Sequence, residues 1–287
     1  MVFVATIWFK GALDLEASFE ATTLSNTSFD QELRGPIMIT SVSNVIKYVL
    51  RDRKPSPKSE FKYSRTEYKK QWNSVSRSID DAKMAVSGYV DEDLYAQTGR
   101  GTVEMLQQFV GVSRDDVFLE IGAGVGRVGA ALAPLCRHWI GADVSENMVK
   151  HMKHRLAALP NVSAIAVNGF DLSNVQSESI DVVYCTVVFM HLEEWDRYNY
   201  ILEAFRVLKP GGRLLVDNVN LLSDDGWKFF EEHRALPPTE RPSQISKTST
   251  PQELETYFRR AGYDAIKQEF SGLWVFTYGT KPAGQPA

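Results

Sequence analysis

The chain has 287 residues, 44% hydrophobic and 24% charged, enough for one sizeable α/β domain with an appendage. A formal net charge of −4 argues against a protein whose main business is gripping nucleic acid. The apolar run over 37–50 is too short to cross a bilayer and contains Lys47, so no transmembrane segment is expected.

The opening run Val2–Phe9 has no basic segment before it and no small-residue cleavage site after it, unlike a signal peptide. The only cysteines, Cys136 and Cys185, lie in apolar patterns without metal-site spacing. They read as buried free thiols of a reducing compartment, which points to the cytoplasm.

Residues 1–100 read as an N-terminal extension and candidate lid. Met38, Val42, Val45, Ile46, Val49 and Leu50 fall on one face of a candidate helix. A basic linker with two prolines follows at 51–70. It suits a solvated connection, or a docking surface for an acidic group, a membrane face or a partner. Tyr63, Tyr68, Trp72 and Tyr95 are the aromatics such a lid would carry.

From residue 101 to 287 the pattern becomes regular. A helix over 102–110 precedes a strand at Val117–Ile121, and a helix runs from Arg127 to about Pro134. Next come a strand at His138–Val144 and a helix capped by Ser145 with Met148, Met152, Leu156 and Leu159 on one face. Strands at Val162–Val167 and Ser179–Phe189 precede a helix over Glu193–Leu208, a Lys-Pro-Gly-Gly turn and a strand at Arg213–Val219. Alternating strands and helices make a parallel sheet covered on both faces.

The tail breaks this rhythm. Thr250-Pro251-Gln252-Glu253 is a capping box with proline at the first helical position, and Gly262 is the matching stop. Two apolar strands follow, Ala265–Phe270 and Leu273–Tyr278, with only Ser271-Gly272 between them, and so short a link joins antiparallel strands. The expected fold is α/β: a doubly wound, mostly parallel seven-stranded sheet with one antiparallel strand near its end, helices on both faces, and an N-terminal extension.

The stretch VFLEIGAGVGRVGAAL, Val117–Leu132, reads as strand, glycine turn and helix, a place for a nucleotide. Gly124-x-Gly126-x-x-Gly129 satisfies a dinucleotide fingerprint, and Glu120-x-Gly122-x-Gly124-x-Gly126 satisfies another. Glu120 separates them. A carboxylate there repels a pyrophosphate but stabilises the ammonium and sulfonium of S-adenosylmethionine. Asp143, at the end of the second strand, suits ribose hydroxyls in either class.

With these residues in view, residues 102–281 resemble a class I S-adenosylmethionine-dependent methyltransferase of the small-molecule type. The segments LEIGAGVG, GADVSENM, NGFDL and RVLKPGGRLLV match that family's motifs in order. The resemblance implies that Gly122, Gly124 and Gly126 approach the methionine end of the donor, with Glu120 acting directly or through water. It implies that Asp143 holds the ribose, Val144 and Phe170 sandwich the adenine, Asp171 accepts from the adenine amine, and Thr186 lies under the donor. Removing the Asp143 carboxylate is expected to weaken donor binding and leave the fold intact.

Methyl transfer needs a base only where the acceptor must lose a proton. His191, just after the fourth strand, is the catalytic candidate, with donor positioning and helix-start packing as its other readings. LLVDNV also resembles the Asp-Asn pair with which catechol-type O-methyltransferases hold magnesium. Met190 stands where those enzymes place a further aspartate, and a thioether is a poor ligand for a hard cation. Magnesium at Asp217 and Asn218 is therefore the lesser alternative, and no metal is expected. Both residues are expected on the substrate side with Trp227, from the segment 218–248.

The expected function is transfer of a methyl group from S-adenosylmethionine to a small-molecule acceptor, a hydroxyl oxygen first. An amine or phospholipid head-group precursor is the second reading, and a non-catalytic S-adenosylmethionine-binding module is a third. A nicotinamide-dependent oxidoreductase ranks last. No nucleic-acid partner is expected, and the sequence carries no mark of oligomeric state.

Overall fold

The computed structural model describes residues 67–242 and 245–284. The candidate helix face at 38–50, Tyr63 and the first part of the basic linker lie outside them. Among the described residues three helices come first: α1 (Tyr68–Ser74), α2 (Ile79–Ser87) and α3 (Glu92–Phe109). Then follow β1 (Val117–Ile121), α4 (Arg127–Leu132), β2 (His138–Asp143), α5 (Glu146–Arg155), β3 (Val162–Ala166) and β4 (Ile180–Cys185). The chain continues with α6 (Glu194–Val207), β5 (Leu208–Asn220), α7 (Asp224–Arg234), β6 (Thr248–Ser249), α8 (Pro251–Ala261), β7 (Asp264–Ser271) and β8 (Trp274–Thr280).

The sheet order is β3-β2-β1-β4-β5-β8-β7. β1 through β5 pair in parallel, and β8 runs antiparallel to both β5 and β7. The seven expected strands and the single reversed one are present. A two-residue strand, β6, adds an eighth by pairing beside the end of β5.

Alternation along the strands sorts the core into two layers. Phe118, Trp139, Val182, Tyr184 and Leu215 pack on one face, with Val103 and Leu106 of α3 and Val128 and Leu132 of α4. Leu119, Ile121, Val183, Cys185, Leu214 and Val216 pack on the other, with Ile201 and Ala204 of α6 and Leu254 and Phe258 of α8. This is the period-two pleat of a sheet covered twice. Both cysteines are buried and free. Among the described residues, no helix is long and apolar enough to cross a membrane.

Two differences from the sequence reading shape the site. α3 begins ten residues earlier than expected, at Glu92 behind the N-cap Asp91, so the expected boundary at residue 100 falls inside it. Gly99 permits this, because a Cβ there would lie 2.5 Å from the Arg127 carbonyl oxygen. The bare backbone lets α3 cross the start of α4 closely. β4 ends at Cys185, earlier than expected. Val187 turns to φ +60°, and the Asp217 carboxylate accepts its N–H at 2.6 Å.

Candidate active site

A cavity of about 450 Å³ opens at the carboxyl ends of β1, β2 and β4. This is the place where open α/β sheets bind ligands. Its floor is the glycine turn. The N–H groups of Gly122 and Ala123 both donate to the Ala142 carbonyl, at 2.8 and 3.0 Å, which pins the turn to the end of β2. Gly122, Gly124 and Gly126 have φ of +74°, +56° and +81°. A Cβ at Gly122 would sit 2.3 Å from Val188 Cγ2. Gly122 and Gly124 line the cavity; Gly126 caps α4 behind it and packs under Leu156.

Glu120 lines the same end and is 4% exposed. Its Oε2 accepts from the Tyr184 hydroxyl at 2.6 Å, and that hydroxyl accepts from Trp139 Nε1 at 2.9 Å. The relay holds the carboxylate in one orientation. Burial pushes the Glu120 carboxyl up to about 8, opposed by the Tyr184 hydrogen bond and by nearby Arg127. A buried carboxyl of this kind is poised to ionise when a cation arrives.

Arg127 also lines the cavity. Its Nη1 donates to the Thr98 carbonyl at 2.7 Å and to Thr102 Oγ1 at 3.2 Å. α3 thus braces a guanidinium near Glu120. Opposite charges on one wall suit a ligand that is itself both cationic and anionic.

Asp143 lines the cavity, but its carboxylate is already engaged. Oδ2 accepts from the Gly124 N–H and Oδ1 from the Ser145 N–H, both at 2.8 Å. Burial pushes this carboxyl up to about 6, against those backbone bonds. Asp143→Ala is therefore expected to cost stability as well as donor affinity. Each of the two is set at about 1.5–3 kcal/mol, the scale of charged hydrogen bonds. Thermal melting with and without donor separates the two losses. An unchanged melting temperature in the ligand-free variant would show that the carboxylate does not hold the turn.

The other expected residues divide. Val144 and Thr186 line the cavity, and so does His191. Val167 and Gly169 form the wall next to Val144, whereas Phe170 and Asp171 stand outside it. Phe170 is 36% exposed, and Asp171 Oδ1 accepts from the Ser173 N–H at 3.0 Å. Asp217 and Asn218 are fully buried behind the lining. Burial pushes the Asp217 carboxyl up to about 7, opposed by the Val187 N–H. Asn218 donates to Ser249 Oγ at 2.7 Å and accepts from the Val219 N–H at 2.8 Å. Trp227 lies outside the cavity on α7, tilted against Phe230.

Magnesium finds no convergent donor set here. Asn218 is committed to Ser249 and Asp217 Oδ1 to Val187, while Met190 lies in an apolar cluster with Phe229 and Trp274. Among the described residues, no group of three or more His, Cys, Asp or Glu is placed to share a metal ion.

The rest of the lining comes from the extension read above as a candidate lid, from the segment 218–248 read as substrate-side, and from Trp274. Tyr68 and Trp72 of α1, and Met84 to Gly88 at the end of α2, cover one side. Asn73 and Ser76 anchor that cover to the start of α5. Ser145 Oγ donates to Asn73 Oδ1 at 2.7 Å and lies 3.0 Å from Ser76 Oγ. The Tyr68 hydroxyl donates to Asp196 at 3.0 Å and accepts from the Glu193 N–H. His191 meets the Trp72 ring edge-on at 5.1 Å. On the far side stand His233, Leu236, Pro242, Ile245, Ser246 and Trp274. Thr186 Oγ1, Asp217 Oδ2 and Trp274 Nε1 are buried here without hydrogen-bond partners. Such atoms are costly unless something completes them.

Strand order and the helices on both faces place the chain among doubly wound α/β folds. Residues 119–216 match the methyltransferase domain family. Over those residues the chain is similar to S-adenosylmethionine-dependent methyltransferases. A probable S-adenosylmethionine-dependent methyltransferase of Mycolicibacterium smegmatis is 36% identical over 105 residues, covering 37% of this chain and 38% of that protein. A demethylmenaquinone methyltransferase of Tropheryma whipplei is 27% identical over 151 residues, covering 52% and 58% respectively. The chain thus spans less than two thirds of these two relatives. The crystal structure of the YcgJ protein of Bacillus subtilis aligns with a TM-score of 0.54 at 17% identity, over 64% of this chain and 100% of that one. That likeness is one of fold.

Proposed function

We propose that the protein is an enzyme that transfers a methyl group from S-adenosylmethionine to the hydroxyl oxygen of a small, uncharged acceptor. The donor supplies a methyl group already activated by its sulfonium. Glu120 is assigned to its ammonium and Arg127 to its carboxylate, with the glycine turn giving the backbone approach between them. Asp143 is assigned to the ribose, while Val144 and Gly169 border the adenine. α1 and α2 serve as the cover that keeps water from the reacting atoms.

One observation carries the choice of acceptor. Among the described residues, every Asp, Glu, Lys or Arg side chain lining the cavity lies at the donor end: Glu120, Arg127 and Asp143. An amine acceptor is a cation at neutral pH and needs a carboxylate. A phospholipid head-group precursor also brings a phosphate and needs a cation. The far end offers aromatic, aliphatic, imidazole and hydroxyl groups instead, the chemistry of an uncharged ring bearing a hydroxyl. Two buried free thiols fit the cytoplasm as its compartment.

Calorimetry tests the donor assignment directly. S-adenosylmethionine is expected to bind with a Kd of roughly micromolar order, about −8 kcal/mol, and NAD not at all at the same concentration. Tight NAD binding without heat from the methyl donor would reverse the assignment. Release of S-adenosylhomocysteine on incubation with cell extract then separates an enzyme from a binding module.

A further inference from the structure

The far end of the cavity carries two imidazoles, His191 and His233, and the structure distinguishes them. His233 lies in the last turn of α7. Its Nδ1 is 2.8 Å from the carbonyl oxygen of Phe229, one helical turn back. A carbonyl oxygen only accepts, so Nδ1 carries the hydrogen. In the neutral ring the lone pair is then on Nε2, the nitrogen a base uses.

The ring is held as well as oriented. It stacks on Phe229 at 4.0 Å between centroids. Phe229 is itself buried in a cluster with Met190, Val219 and Trp274. The mount is therefore part of the core, although the imidazole borders the cavity. The C-terminal turn of a helix also favours a positive charge, which steadies the imidazolium that proton capture creates. His191 is placed differently: it sits in the turn after β4, edge-on to Trp72 of the cover.

We propose that His233 is the base of the reaction, taking the proton of a planar phenolic or enolic hydroxyl bound between the rings of the acceptor end. The proposal rests on the donor and hydroxyl-acceptor reading above. The hydroxyl proton passes to Nε2 of His233, and an oxygen electron pair forms the new O–C bond. The C–S bond breaks with its pair kept by sulfur, so the sulfonium becomes a neutral thioether. The imidazolium then returns its proton to water. His191 packs against the cover and takes no proton.

The test uses the full chain with S-adenosylhomocysteine bound and 4-nitrophenol as the probe, because its phenolate absorbs visibly and the phenol does not. Below the pH at which the free probe ionises, bound probe is expected to show the phenolate band in wild type and in His191→Gln. The band is expected to fall at least tenfold in His233→Gln, with S-adenosylhomocysteine affinity unchanged. A band that survives His233→Gln, or moves with His191→Gln instead, overturns the proposal. So does its absence from wild type that binds S-adenosylhomocysteine. Failure of wild type to bind S-adenosylhomocysteine at all overturns the donor reading instead. A second measurement needs no variant to fold: the 15N shifts of the wild-type imidazoles should report the Nδ1–H tautomer for His233, and the Nε2–H tautomer would overturn the assignment.

Discussion

Gly122→Ala is expected to weaken donor binding severely. The residue sits at φ +74°, where an L side chain costs about 1–2 kcal/mol. Its new Cβ would stand 2.3 Å from Val188 Cγ2, an overlap no rotamer of alanine can avoid. Crowding of that order adds about 1–3 kcal/mol. Both penalties fall on the turn that is to carry the donor, so the expected loss is about 2–5 kcal/mol, roughly thirtyfold or more in affinity. Titration calorimetry of the variant measures it. Affinity within threefold of wild type would mean that the turn relaxes freely and is not the donor's floor.

Glu120→Gln should give the second large effect, with its own signature in protons. The amide keeps the Tyr184 contact but cannot ionise. Loss of a charge-assisted bond to the donor's ammonium costs about 1.5–3 kcal/mol, roughly tenfold to a hundredfold in affinity. In the free protein burial holds the wild-type carboxyl up to about 8, so at pH 7 it is largely protonated. A cationic donor then expels that proton. Binding heats measured in buffers of different ionisation enthalpy should reveal proton release for wild type and none for Glu120→Gln.

The same group shapes stability in the opposite sense. Its folded-state pKa lies above its unfolded value, so the folded chain holds the proton over the range in which the unfolded chain has lost it. The ligand-free fold loses this contribution as pH rises from about 4.5 toward 8. Donor-induced stabilisation should therefore grow more steeply over that interval in wild type than in Glu120→Gln, where Asp143 still titrates. An equal pH dependence in both proteins would remove Glu120 from the account.

The sheet was readable because its signals are local and repeated. Thr250, Pro251 and Gly262 punctuate α8 as they would any helix: the threonine oxygen accepts the Glu253 N–H and the glycine closes in the left-handed region. α2 has the same punctuation, with Ser78 accepting from Asp81 and Gly88 as its stop. Its nine residues carry too little apolar rhythm to stand out from the irregular stretch around them. Glu120 was legible as a site residue because adjacency to the glycines placed it. Arg127 and Tyr184 were not, since what matters in each is a partner on a distant element: Thr98 of α3 for one, Glu120 of β1 for the other. Asp143 was legible as a strand-end carboxylate, but its two backbone partners belong to the fold and not to the pattern. His233 has no sequence signal for its role, because its hydrogen bond to Phe229 is a matter of rotamer.

The helices that cover the cavity have a consequence for the order in which the molecule assembles. α1 has seven residues and α2 nine, too short to persist alone in water. Their anchoring bonds reach far along the chain: Tyr68 to Asp196 spans 128 positions, Asn73 to Ser145 spans 72, and His151 to Ser76 spans 75. Contacts of such separation form late, after loop closure has been met by the sheet. A chain emerging from the ribosome makes this segment before β1, yet cannot seat it until α6 has followed. The cavity is thus covered late by residues synthesised before its floor. Amides of α1 and α2 should exchange with solvent faster than those of β1 and β4, through a partial opening that leaves the sheet intact.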